Sequence, residues 1–146
     1  RQGNPKAFHF PRPRLKDAPL DFSFSGLKTA VLYQLQKLEN PHFQLADLCA
    51  SFQAAVIDCL VKKTILAALE ADRQMITLSG GVACNKALQS ALGAAAEEAG
   101  MTLSLAPPEL TTDNAGMIAF AGLLSSENRD ADTLTIGIDP NLSLTA

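Results

Sequence analysis

The sequence has little from which to build a covalent framework or a histidine-rich site. It holds two histidines and three cysteines among 146 residues. His9 falls in a Pro-rich loop and His42 in a helix connection, without ligand spacing, so the chain cannot assemble a complete His-rich metal centre on its own. Cys49, Cys59 and Cys84 make no CxxC and no even set. If Cys49 and Cys59 share a helix, the ten residues between them span roughly 15 Å of rise, too far for a disulfide. A reducing compartment fits. Charge of one sign is lacking as well: twelve basic residues stand against fifteen acidic ones, for a net charge of −3. Any nucleic-acid contact must therefore come from a local patch or from partners. Long apolar runs are missing too. The longest charge-free stretch, Asn114 to Ser126, is shorter than the roughly 18 residues a bilayer-spanning helix needs. Arg1 to Lys16 is basic and Pro-rich with no apolar run behind it, unlike a secretory signal. These absences predict a soluble, cytoplasmic protein. The chain opens on RQGNPKAFHFPRP rather than on Met, and this predicts a fragment of a longer protein.

What is present suffices for a core. Hydrophobic residues make up 47% of the chain and charged residues 18%, which excludes disorder as a description of the whole. Residues 1–20 read as a basic, Pro-rich linker or loop, with Pro5, Pro11, Pro13 and Pro19 breaking any helix. Residues 21–146 read as one lobe. Helical spacing of Leu27, Ala30, Val31, Leu35 and Leu38 predicts a first helix capped by Ser25 and ended by Asn40-Pro41. A longer helix is predicted from Gln44 to Ala71, with a stripe of Leu45, Leu48, Cys49, Phe52, Val56, Leu60, Ile65 and Leu69. Lys62, Lys63 and Glu70 are expected on its wetter faces.

The period then changes. Met75 to Leu78 reads as a buried strand entering the Ser79-Gly80-Gly81 turn, and a helix from Cys84 to Ala99 is closed by Gly100. Thr102 to Leu105 reads as a second strand, stopped by Pro107-Pro108. An apolar helix from Asp113 to Ser125 is expected to be buried, and Leu134 to Ile138 to form a last strand. Strands alternating with helices predict an α/β lobe, rich in helix, around a small and mainly parallel sheet.

Two constellations could carry chemistry. In Leu78 to Lys86, glycines between a strand and a helix let backbone approach a ligand, and free N–H groups favour an anion or the polar edge of a base. Neither a Walker A pattern nor GxGxxG is present, so a plain tight turn explains the same residues. Thr112 or Asp113 reads first as a plain N-cap; the functional alternative is Asp113 as a carboxylate ligand for a divalent ion, though one carboxylate does not make a site. Cys84 opens a helix, where a reactive thiol can sit, but no base can be named for it. Lys28 and Thr29 read as surface and packing residues.

Four segments in order are more specific than any one of them: Phe10-Pro11-Arg12-Pro13, Asp21 to Val31, Ser79 to Asn85, and Thr112 to Ala119. Together they closely resemble the C-terminal part of the tRNA N6-adenosine threonylcarbamoyltransferase family, long labelled glycoproteases or O-sialoglycoprotein endopeptidases. The resemblance covers nearly the whole chain. It implies the second lobe of an actin/Hsp70-like (ribonuclease H-like) fold, with Gly80, Gly81 and Asn85 contacting the substrate adenylate. It also implies that Asp113 ligates one divalent metal, iron or zinc, completed by two histidines of an HxxxH helix that this chain lacks.

The implied reaction moves the threonylcarbamoyl group from threonylcarbamoyl-adenylate to N6 of the adenosine 3′ of the anticodon. Its implied partners are tRNA, a missing N-terminal lobe and accessory subunits, with no membrane. Cys84 and Thr111 depart from the family pattern without replacing these positions. Two other readings stay open: an actin/Hsp70-like ATPase or kinase lobe using a carboxylate from elsewhere, and a non-enzymatic scaffold module. A metallopeptidase ranks last, since no HExxH is present.

Overall fold

The computed structural model of the protein describes residues 3–13, 18–38 and 41–126. The chain divides into two compact units, Arg1–Thr111 and Thr112–Ala146. In the first, helix α1 (Ser25–Lys37) and helix α2 (Pro41–Glu70) are followed by strand β1 (Met75–Leu78), helix α3 (Lys86–Glu98) and strand β2 (Thr102–Leu105). The described part of the second holds helix α4 (Ala115–Ser126). The predicted α/β class with a small parallel sheet is the one found: β1 and β2 pair in parallel, Met75 opposite Thr102 and Leu78 opposite Leu105. Among the described residues, no helix is long and apolar enough to cross a membrane.

Helix α2 is the spine of the first unit. Its N-terminal half supplies Leu48 and Ala55 to a cluster with Phe10 and Leu27. Its C-terminal half supplies Ala68 to a second cluster with Ile76, Leu92 and Ala96. The buried stripe differs from the predicted one: Leu45, Phe52 and Leu69 are exposed, while Leu48, Ser51, Ala55, Cys59, Lys63 and Ala68 face inward. Small side chains at 51, 55 and 59 let neighbouring segments approach the helix closely, which a stripe drawn through the largest apolar residues misses.

Lys63 also departs from expectation, being only 8% exposed. Its ammonium donates to the carbonyl of Asp21 and lies 5.3 Å from the centre of the Phe22 ring. A charge can be buried there because it has both a hydrogen-bond acceptor and an aromatic face.

Residues 3–13 carry neither helix nor strand, yet they pack along α2. Phe10 is buried in the first cluster, and Arg12 pairs with Asp58 at 2.9 Å while donating to the Phe10 carbonyl. Gly3 lies so close to α2 that a side chain there would collide with the backbone of Ala46.

The helix ends follow local rules with two exceptions. Gly100, at φ +71°, closes α3: its N–H meets the Glu97 carbonyl and that of Met101 meets the Ala96 carbonyl. This is a Schellman ending, as the glycine predicted. The same pattern closes α2, with Asp72 at φ +53° in the left-handed position. At α1 the cap is Phe24 rather than Ser25, and its side chain makes no capping hydrogen bond. Ser25 is already helical, and its carbonyl accepts from Thr29 Oγ1.

Burial is where expectation and structure part most. Strand β1 alternates, with Ile76 buried and Met75 60% exposed, so it is covered on one face and not on both. The apolar composition of helix α4 predicts burial. Instead, Ile118 is 74% and Phe120 62% exposed. An apolar composition all round a helix predicts burial only where something is there to cover it. The strand predicted at Leu134 to Ile138 lies outside the described residues.

Candidate functional site

The carboxyl ends of two parallel strands are where open α/β sheets hold ligands. Here β1 leads through Ser79 into Gly80 and Gly81. Gly80 takes φ +91° and ψ 168°, a conformation essentially reserved for glycine. Gly81 begins a single 3-10 turn, Gly81–Cys84, held by Ala83 N–H to the Gly80 carbonyl and Asn85 N–H to the Val82 carbonyl. Ala83 is buried and anchors the turn, and Gln89 Nε2 donates to its carbonyl at 2.7 Å. Both glycines are exposed, and a side chain on either would meet no atom of the described residues within 4 Å. Among the described residues no neighbour requires the missing side chain at Gly81, and its backbone is open to a ligand.

Asn85 follows the turn and caps α3. Its Oδ1 accepts from the N–H groups of Ala87 at 3.0 Å and Leu88 at 3.2 Å. Helix α3 thus begins at Lys86, two residues later than predicted, because the 3-10 turn occupies the preceding positions. The other end of the amide, Nδ2, donates to Gln53 Oε1 on α2 at 3.1 Å.

A groove of about 800 Å³ runs beside this pair. One wall is the face of α2 carrying Leu45, Ala46, Cys49, Ala50 and Gln53; the other is Asn85 to Ala87. Of the residues singled out from sequence, the structure places Gly80, Gly81 and Asn85 on one turn, and Asn85 on the groove. Gln53 was not legible: it lies 32 residues before Asn85, in a helix without a motif of its own.

Cys84 has a structural partner. The Thr111 hydroxyl donates to the Pro108 carbonyl at 2.7 Å, so the 3.0 Å contact between Cys84 Sγ and Thr111 Oγ1 has the thiol as donor. This bond joins the turn after β1 to the turn after β2. Among the described residues no basic side chain is hydrogen-bonded to Cys84.

Asp113 lies in the second unit and is exposed. It is not the cap of α4. Asn114 is, through Oδ1 accepting from Met117 N–H at 3.0 Å, and its Nδ2 donates to the Thr112 carbonyl. The Asp113 carboxylate therefore has no capping duty, and it accepts no hydrogen bond from the described residues. Among them there is no group of three His, Cys, Asp or Glu side chains that could hold a metal.

Residues 1–120 match the family model of tRNA N6-adenosine threonylcarbamoyltransferase. The chain belongs to that family. Relatives of that name include one from Moorella thermoacetica, 45% identical over 99% of this chain and 43% of the relative. Those from Syntrophotalea carbinolica and Trichlorobacter lovleyi are 49% and 51% identical, each over 83% of this chain and 36% of the relative. The chain thus spans about two fifths of the length of the curated relatives it matches.

Proposed function

We propose that this chain is the C-terminal part of an acyltransferase acting on tRNA, which moves the threonylcarbamoyl group from threonylcarbamoyl-adenylate to N6 of the adenosine 3′ of the anticodon. The observation that carries this reading is the Gly80-Gly81 turn and Asn85, set at the carboxyl end of β1 in a chain of that family. Gly80 and Gly81 give the adenylate close approach to backbone, and Asn85 offers one side-chain N–H beyond those already used. The reaction is attack by a weak exocyclic amine on a mixed anhydride with phosphate. Such a step depends on holding amine and anhydride in register, which a rigid turn serves. The target base lies in a single-stranded loop and needs little unstacking.

Asp113 is the residue that would hold a divalent metal, iron or zinc. It offers one hard oxygen with no competing hydrogen bond among the described residues, and this suits a ligand. A single carboxylate is not a site, and two histidines from the N-terminal lobe complete it in this reading. Bound there, the ion supplies Lewis acidity. The net charge of −3 on this chain is consistent with tRNA being held by local patches, and in this reading the other lobe and accessory subunits share the binding. The cytoplasm is the compartment this function fits.

The test is turnover. A family-length protein carrying this chain, mixed with threonylcarbamoyl-adenylate and substrate tRNA, should yield the modified nucleoside by mass spectrometry. Release of γ-phosphate from ATP without nucleoside modification would point instead to an ATPase of the same fold.

A further inference from the structure

The hydrogen bond from Asn85 to Gln53 has a consequence for how Asn85 meets a ligand. Asn85 Oδ1 accepts two backbone N–H groups of α3, which uses both of its lone pairs. Only oxygen can face two N–H donors, so the amide's orientation is forced and Nδ2 faces α2. There it meets Gln53, which must present its own oxygen. One N–H of Nδ2 is then spent on Gln53 and one remains. Held at both ends, the amide has a fixed plane, and the remaining N–H has a fixed direction.

Gln53 is well placed for that work. It sits on α2 between Leu48 and Ala55, both buried in the first cluster, so its backbone belongs to a rigid element. Gln53 and Asn85 both line the 800 Å³ groove. Among the described residues theirs is the sole side-chain hydrogen bond joining α2 to the Gly80–Asn85 turn.

We propose that Gln53 is a positioning residue for Asn85: by accepting from Nδ2 it fixes the plane of the Asn85 amide and aims the remaining N–H at an acceptor atom of the bound nucleoside. This rests on the adenylate reading above. Gln53 need not touch the nucleoside, and it adds no chemistry of its own. Its effect is to remove a freedom that Asn85 would otherwise lose only on binding.

The experiment uses the family-length protein, labelled with 15N at asparagine, and adenosine as an uncharged probe. Three variants are compared with the parent: Gln53→Met, Gln53→Glu and Asn85→Ala. Methionine keeps length and helix propensity but removes the acceptor, while glutamate keeps the acceptor, and a neutral probe is insensitive to its charge. Gln53→Met should move the Asn85 side-chain amide resonances before any ligand is added. It should also weaken adenosine binding about fivefold, with no change in melting temperature, in line with the loss of one ordinary hydrogen bond. Gln53→Glu, which still accepts, should restore affinity and move the Asn85 amide proton downfield, as a hydrogen bond to a charged acceptor does. Unchanged resonances and affinity in Gln53→Met, or equal weakening by methionine and glutamate, would overturn the proposal. Unchanged affinity in Asn85→Ala would instead overturn the adenylate reading itself, and the role of Gln53 with it.

Discussion

Ser51 receives the N–H of Phe8 at 3.1 Å and passes its own proton to the carbonyl of Asn4 at the same distance. One hydroxyl on α2, 1% exposed, thus satisfies a donor and an acceptor of a segment that has no secondary structure of its own. It holds Phe10 in register to enter the core beside Leu27 and Leu48. Ser51→Ala should cost about 1–3 kcal/mol, because two main-chain groups lose their partner in a site largely closed to water. Urea unfolding of the 146-residue chain measures it. A loss within experimental error would mean that water replaces the hydroxyl and that the segment docks through Phe10 alone.

Asn85 has two duties that substitutions can separate. Its Oδ1 caps α3, so Asn85→Ala should cost about 1 kcal/mol in stability. Asn85→Ser keeps a capping oxygen and should stay within a few tenths of a kcal/mol of the parent, while lacking the N–H that faces Gln53 and the groove. Both should weaken adenylate binding in the family-length protein, by an amount of the order of one hydrogen bond, or about 0.5–1.5 kcal/mol. Thermal melts paired with calorimetry test this. Full affinity in Asn85→Ser would leave Asn85 as a helix cap and nothing more.

Local rules made most of the first unit legible. The bounds of β1 and β2 and the glycine ending of α3 follow from residues adjacent in sequence, and the parallel pairing from the order strand, helix, strand. Facts set by distant partners were not legible. Lys63 looks like a solvated lysine until Asp21 and Phe22 are placed against it. Ser51 and Cys59 look too small and too polar to form a buried stripe until the segment that packs there is known. The site divides in the same way. The Gly80-Gly81 turn shows in the sequence because backbone conformation is a local property. Gln53 does not, because its meaning comes from a hydrogen bond across 32 residues. Helix α4 inverts the lesson: its composition announces burial, and the exposure of Ile118 and Phe120 shows that composition names a need without naming what meets it.

The two glycines of the turn should respond in opposite ways. Gly80→Ala places a side chain at φ +91° and ψ 168°, which should cost about 1–3 kcal/mol in stability. At Gly81 an added methyl meets nothing among the described residues within 4 Å, and no left-handed backbone opposes it. Gly81→Ala should leave stability unchanged or raise it by a few tenths of a kcal/mol through a less flexible unfolded chain. If the Gly81 backbone is approached by the adenylate, the same methyl should still lower affinity at least tenfold. Stability comes from denaturant melts and affinity from calorimetry on the family-length protein. Parent-like affinity in Gly81→Ala would remove this residue from the site.

Asp113 and Asn114 are neighbours with separable roles at the start of α4. Asn114 carries the cap, so Asn114→Ala should loosen the first turn of that helix by about 1 kcal/mol. Asp113 is exposed and accepts no hydrogen bond from the described residues, so Asp113→Ala should change stability by less than about 0.5 kcal/mol. The order should reverse for metal. In the family-length protein, elemental analysis after dialysis should find the divalent ion largely lost from Asp113→Ala and retained in Asn114→Ala. The 146-residue chain alone should bind metal weakly and below one equivalent, since no set of three ligands exists among its described residues and one carboxylate cannot exclude water from an ion. By the same reasoning it should not modify tRNA by itself. On the proposed reading the N-terminal lobe completes the site, and a misplacement of reacting groups of about 1 Å can already cost on the order of a hundredfold in rate. Tight one-to-one metal binding by this chain, or nucleoside modification by it above background, would place the complete site within these residues and contradict the assignment of the other ligands to an N-terminal lobe.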